Sequence, residues 1–122
     1  MHFGLTSQDI NNTSTPLMIK NSLEAYLLPE LKKVLATLRS KLAEWDVSML
    51  ARTHGQSASP TNLANEIKVF IARLEAQVAL LEQVPHSCRF GGATSNMNAH
   101  LFTYPSHDWR GFAERFCESR LG

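Results

Sequence analysis

The sequence predicts an all-α fold, a segment of a long-helix bundle, from three observations. Apolar residues recur at helical spacing along two long stretches. Each stretch begins at a hydroxyl residue followed by proline. No run alternates apolar and polar residues long enough to make a strand.

In the first stretch Leu23, Leu27, Leu31, Val34, Leu35, Leu38 and Leu42 lie three or four residues apart, the spacing of one helix face. Thr15-Pro16 reads as its N-cap and first helical residue. Pro29 lies inside the pattern, lacks an N–H and clashes with the preceding turn, so a kink or a junction of two helices is expected there. The second stretch opens at Ser59-Pro60-Thr61 and continues through Leu63, Ile67, Phe70, Ile71, Leu74, Val78 and Leu81. It spans about residues 60–83 and ends before Pro85. A shorter third helix is expected from Asp108 to Ser119, burying Trp109, Phe112, Ala113 and Phe116. Residues 51–58 and 90–98 read as polar, glycine-containing loops.

A chain of 122 residues with 43% hydrophobic and 19% charged residues has room for one domain with a modest core. Two long apolar stripes in so short a chain cover each other poorly, so self-association is expected. The net charge of +1 and the lack of a basic stripe argue against a nucleic-acid partner. No run approaches the ~20 apolar residues of a membrane span. No apolar leader follows Met1, and a cytoplasmic protein is expected. Neither end of the chain has the look of a natural start or tail, which fits a fragment. Cys88 and Cys117 form neither a metal-ligand pattern nor a disulfide framework, so reduced thiols are expected. His2, His86, His100 and His107 lack ligand spacing. No metal and no cofactor are expected.

Three polar clusters sit at helix ends or in loops. Thr6-Ser7-Gln8-Asp9 fits a helix N-cap and equally an anion site, because hydroxyls and free N–H groups gather at a helix N-terminus. Thr53-His54-Gly55-Gln56 carries an imidazole, the side chain best suited to proton transfer near neutral pH, although a lone loop histidine is more often structural. Gly91-Gly92 with Thr94, Ser95, Asn96 and Asn98 reads as a turn, or as backbone able to approach a ligand closely. It is not a P-loop, since no Gly-Lys-Ser/Thr follows.

Taken together, the clusters resemble the fumarase/aspartase superfamily of homotetrameric lyases. Arg52-Thr53-His54-Gly55-Gln56, with Ala58 and Pro60, is similar to its R-T-H-x-Q-x-A-x-P segment. His2-Phe3-x-x-Thr6-Ser7-x-Asp9 resembles the H-F-x-x-T-S-x-D motif of adenylosuccinate lyases. Gly92-Ala93-x-x-Asn96-x-Asn98-Ala99-His100 and Tyr104-Pro105-x-x-Asp108-Trp109 resemble a bacterial branch of that family, with Arg89 and Ser95 standing where it often has lysine and glycine.

The resemblance implies a partial central helical domain over residues 1–122. The N-terminal region, the C-terminal domain and the signature loop bearing the catalytic serine base are absent. It implies elimination of fumarate from adenylosuccinate to give AMP, and from the succinyl-aminoimidazole carboxamide ribotide intermediate of purine synthesis. His54 matches the general acid. Thr6, Ser7, Asp9, Thr53, Gln56, Arg89, Ser95 and Asn96 are the implied substrate contacts. The small-molecule substrate and a homotetramer of the parent protein are the implied partners, with no nucleic acid and no membrane. Each active site would draw on three subunits, and the isolated chain would be inactive. Fumarase, argininosuccinate lyase and a purely oligomerising helical module are the competing readings.

Overall fold

The computed structural model describes residues 3–121. His2, which opens the first motif, lies outside them. Contacts divide the chain into two compact units, Met1–Glu24 with Pro85–Gly122, and Ala25–Val84.

The second unit is a helical hairpin with a small antiparallel ribbon. Helix α2 (Leu28–Glu44) and helix α3 (Leu63–Glu82) pack through Leu35, Ile71 and Val78, flanked by Leu28, Leu31, Leu38, Leu42, Ile67 and Leu74. The α2 positions alternate steps of three and four, so one stripe faces α3 along its whole length. Two ion pairs set the direction. Lys32 meets Glu82 at 2.8 Å and Arg39 meets Glu75, seven residues along one helix and seven back along the other, so the helices run antiparallel. These pairs are exposed and contribute little beside the buried stripe. Val34 and Phe70, expected on the packed faces, point outward. Each lies next to a stripe residue in sequence, about 100° around the helix from it.

Between these helices, β1 (Ser48–Thr53) and β2 (Gln56–Asn62) form an antiparallel hairpin, where the sequence suggests a polar loop and then a helix start at Ser59-Pro60. The ribbon is mostly solvent-exposed on both faces, so its strands carry no apolar alternation to read. A two-stranded ribbon is marginal in water, and here its base is tied down. The Leu63 N–H donates to the Val47 carbonyl at 3.1 Å, and the Asn62 amide donates to the Asp46 carboxylate at 2.6 Å. Asn62 also caps α3, accepting from the Ala64 N–H at 2.8 Å and the Asn65 N–H at 3.4 Å. The helix therefore starts at Leu63, because Asn62 is the better cap and Pro60 is paired in the ribbon opposite Leu50.

In the first unit, α1 (Ser7–Ser22) starts at its N-cap Thr6, with Pro16 inside it and not at its head. A π-helical turn, Leu23–Leu27, then leads into α2, with Pro29 in that helix's first turn. The extra residue of a π turn relieves the clash a proline makes with the turn before it, so the expected kink takes this form. Helix α4 (Asn98–Thr103) is a short addition, and α5 (Trp109–Leu121) ends two residues later than expected. Lys20 on α1 donates to the Leu121 carbonyl at 2.7 Å, holding α1 and α5 together. Cys88 and Cys117 are joined by a disulfide with a Cα–Cα distance of 6.2 Å. This corrects the expectation of free thiols, because the fold brings together residues 29 positions apart.

Removing the Ile71 side chain opens a cavity in the α2–α3 stripe. Ile71→Ala is expected to destabilise the chain by about 2–5 kcal/mol in urea unfolding. A loss below about 1 kcal/mol would mean that this stripe does not hold the second unit.

Candidate active site

The first unit brings two of the three polar clusters together, and Asp9 is the link. Its side chain is buried, 2% exposed, inside a shell of donors. Oδ2 accepts from the Thr6 N–H at 2.8 Å, the Thr6 hydroxyl at 3.1 Å and the Gly92 N–H at 3.1 Å. Oδ1 accepts from the Gly91 N–H at 3.1 Å, with Arg89 Nε at 3.7 Å. Asp9 therefore closes the N-terminus of α1 as the third helical residue, the far end of a capping box, and also clamps the glycine loop. Thr13 adds a second tie, its hydroxyl within reach of the Asp9 carbonyl at 2.9 Å and the Arg89 carbonyl at 3.3 Å.

The Asp9 pKa is lowered from the ordinary 3.8. Burial pushes it up, but the hydrogen bonds from Thr6 and Gly91 and the nearby Arg89 guanidinium outweigh burial by stabilising the anion. With both oxygens engaged and almost no exposure, Asp9 ties the head of α1 to the glycine loop and presents no open oxygen. Arg89 is turned inward as well, donating to the Gly92 carbonyl at 3.0 Å.

The glycines are required by close packing. A Cβ on Gly91 would lie 2.8 Å from the Ser95 Cα, and one on Gly92 would lie 2.8 Å from the Gly4 carbonyl oxygen. Beyond them Ser95 has a φ of 61°, and its N–H donates to the Gly92 carbonyl at 3.2 Å. The Asn96 side chain accepts from the Thr94 hydroxyl at 2.6 Å and the Asn98 N–H at 3.3 Å. Ser7, Ser95 and Asn96 remain exposed, and Thr6 is half-buried. At the head of a 16-residue helix, Ser7 and Gln8 present N–H groups with no intrahelical acceptor. Positive dipole, hydroxyls and free amides together suit an anionic oxygen.

Thr53, His54 and Gln56 belong to the other unit. Thr53 and Gln56 are the last cross-strand pair of the ribbon, and His54-Gly55 is its two-residue turn. Both turn residues have positive φ, 48° and 78°, as a type I′ hairpin requires. The turn holds the imidazole at an exposed tip between two polar side chains. Among the described residues, no group of three or more His, Cys, Asp or Glu is placed to hold a metal ion.

His100 was passed over in the sequence because it has no ligand spacing. It is 1% exposed, with Nε2 3.1 Å from the Phe3 carbonyl oxygen and ring contacts to Phe3, Phe90 and Trp109. Its place beside Asn98 in the third motif is the one signal that pointed to it.

The depressed Asp9 pKa has a stability consequence. Its contribution is complete above the unfolded value near 3.8 and is lost as pH falls through the lower folded value. Unfolding free energy should therefore decline below about pH 4. Asp9→Asn should remove that part of the decline and cost about 3–5 kcal/mol at neutral pH, because it leaves Arg89 and the loop amides without their anion. Denaturation curves at stepped pH check both, and identical pH profiles for the two proteins would contradict the assignment.

A family model described as Lyase matches residues 1–117. The chain is 56% identical over 119 residues to the adenylosuccinate lyase of Dictyostelium discoideum, covering 95% of this chain and 26% of that protein. It is 41% identical over 123 residues to that of Vibrio cholerae, covering 100% and 27%. Against that of Escherichia coli K12 it is 37% identical over 120 residues, covering 98% and 26%. The chain thus spans about a quarter of the length of the curated relatives it matches. With the family model matched along nearly its whole length and with long helices as its framework, the chain belongs to the lyase family of the fumarase/aspartase superfamily.

Proposed function

We propose that the protein to which this segment belongs is an adenylosuccinate lyase. It would release fumarate from adenylosuccinate to give AMP, and from the succinyl-aminoimidazole carboxamide ribotide intermediate of purine synthesis. The observation that carries this is the 56% identity to a protein of that name across 95% of the chain. The segment reads as part of the central helical domain, with the base supplied from outside it.

In this reading the base takes a proton from the succinyl Cβ, the electron pair forms the C=C bond of fumarate, and the C–N bond breaks. His54 gives its proton to the departing nitrogen. A tip held by a tight turn suits that task, because the ring can enter a substrate pocket completed by other segments. Thr53 and Gln56 flank it on one face of the ribbon and orient substrate or ring. Thr6 and Ser7 hold an anionic group at the head of α1, and Ser95 and Asn96 offer further polar contacts. Asp9 and Arg89 serve by keeping the loop in place.

General acid catalysis of this kind contributes roughly 10²–10⁴-fold. In the full-length enzyme His54→Gln should lower kcat by about that factor and change KM far less, since proton donation belongs to the transition state. The 122-residue chain alone should release no fumarate from adenylosuccinate. Near-normal kcat in His54→Gln would remove His54 from the mechanism, and steady turnover by the chain alone would refute the need for an outside base.

The parent is further proposed to be a cytoplasmic homotetramer, as the resemblance implies. Association is supported by large apolar side chains left exposed in the second unit, with Tyr26 at 73%, Phe70 at 60% and Leu80 at 57%. Sedimentation of the chain should give a species larger than a monomer at high concentration. A folded monomer throughout would count against these faces as an interface.

A further inference from the structure

The contacts around the head of α1 form a stack, and His100 is its base. Only the ring Nε2–H can satisfy the Phe3 carbonyl, since a carbonyl oxygen accepts and never donates. The proton is thereby assigned to Nε2. Nδ1 is buried with no partner among the described residues. Gly4 lies flat against the ring. Its φ is +64°, and a Cβ there would sit 2.7 Å from both Cε1 and Nε2 of His100. The Gly4 carbonyl in turn meets Gly92, where a Cβ would come to 2.8 Å. Gly92 is clamped by Asp9. One imidazole thus sets the height of the Phe3–Gly4 turn, and that turn runs directly into Thr6 and Ser7.

We infer that His100 is a positioning residue for substrate binding, holding Thr6 and Ser7 in place through the Phe3–Gly4 turn. It rests on the reading above that Thr6 and Ser7 hold the substrate's anionic group. A histidine serves here for two reasons. Its flat ring lets the glycine backbone lie on it, and its Nε2–H reaches the carbonyl at the ring edge. A phenylalanine offers only the first. A glutamine offers only the second, because its amide nitrogen extends about as far as Nε2.

The test is steady-state kinetics on the full-length enzyme with adenylosuccinate, normalised to folded protein. His100→Phe keeps the ring and loses the donor. It should raise KM about tenfold, the equivalent of one lost, part-buried hydrogen bond, and change kcat less than about threefold. His100→Gln restores the donor and should bring KM back to within about threefold of the parent value. Gly4→Ala perturbs the same contact from the other side and should raise KM as His100→Phe does. A residue with only a structural role would instead reduce the folded fraction and leave the KM of the surviving enzyme unchanged.

Thr6→Val and Ser7→Ala separate the two claims. If they raise KM while His100→Phe and Gly4→Ala do not, the positioning role is wrong and the functional reading stands. If they leave KM unchanged, that reading of Thr6 and Ser7 fails and the positioning role fails with it. Should His100→Phe not fold, Gly4→Ala decides: an unchanged KM overturns the inference and a tenfold rise upholds it.

Discussion

The first unit depends on one buried carboxylate. An anion taken out of water is costly unless donors replace the lost hydration. Asp9 meets that condition with Thr6, Gly91, Gly92 and Arg89, all converging on its two oxygens. The same contacts tie the head of α1 to a loop more than 80 residues further along the chain. This makes the clamp demanding of its neighbours. The loop amides are satisfied only if the backbone comes close to Asp9. The glycines themselves are required by other neighbours, since a Cβ on Gly91 would meet the Ser95 backbone and one on Gly92 the Gly4 carbonyl oxygen.

The second unit is held by a different kind of force. Its helices cohere through an apolar stripe with little directional content, two exposed ion pairs go with their antiparallel direction, and hydrogen bonds fix where α3 starts. Asn62 does most of that specification. It caps α3 through its carbonyl oxygen and ties to Asp46 through its amide nitrogen, so the start of the helix and the base of the ribbon are set together. The ribbon carries His54 out on a turn whose geometry is fixed by two positive φ values. An imidazole on such a tip is held in direction yet open to solvent.

Burial sorts the polar residues by what they touch. Buried polar groups, Asp9 and His100, position backbone. Exposed ones, Ser7, Ser95, Asn96, Thr53, His54 and Gln56, are free to meet something else. Burial separates the residues that build the site from those that would touch a substrate. The chain spans about a quarter of its relatives' length, and this local order rests on contacts within it.

The sequence alone determined the helical class, the extent of α3 to within three residues, and the three polar clusters with the family they resemble. Helical period and order of motifs are local properties, written in spacing along the chain. It offered two starts, Thr6 and Thr15-Pro16, because both carry the local signal of a helix N-terminus; the structure takes Thr6, with its capping box to Asp9, and leaves Pro16 inside α1. It missed the ribbon, because strands exposed on both faces leave no apolar alternation. It also missed the Cys88–Cys117 bridge, the burial of His100 and the clamp between Asp9 and the glycine loop. Each of these joins residues from 29 to nearly 100 positions apart. Only the tertiary structure decides such contacts, because a buried hydrogen bond is specified by where the folded backbone brings its donors and not by the identity of either residue.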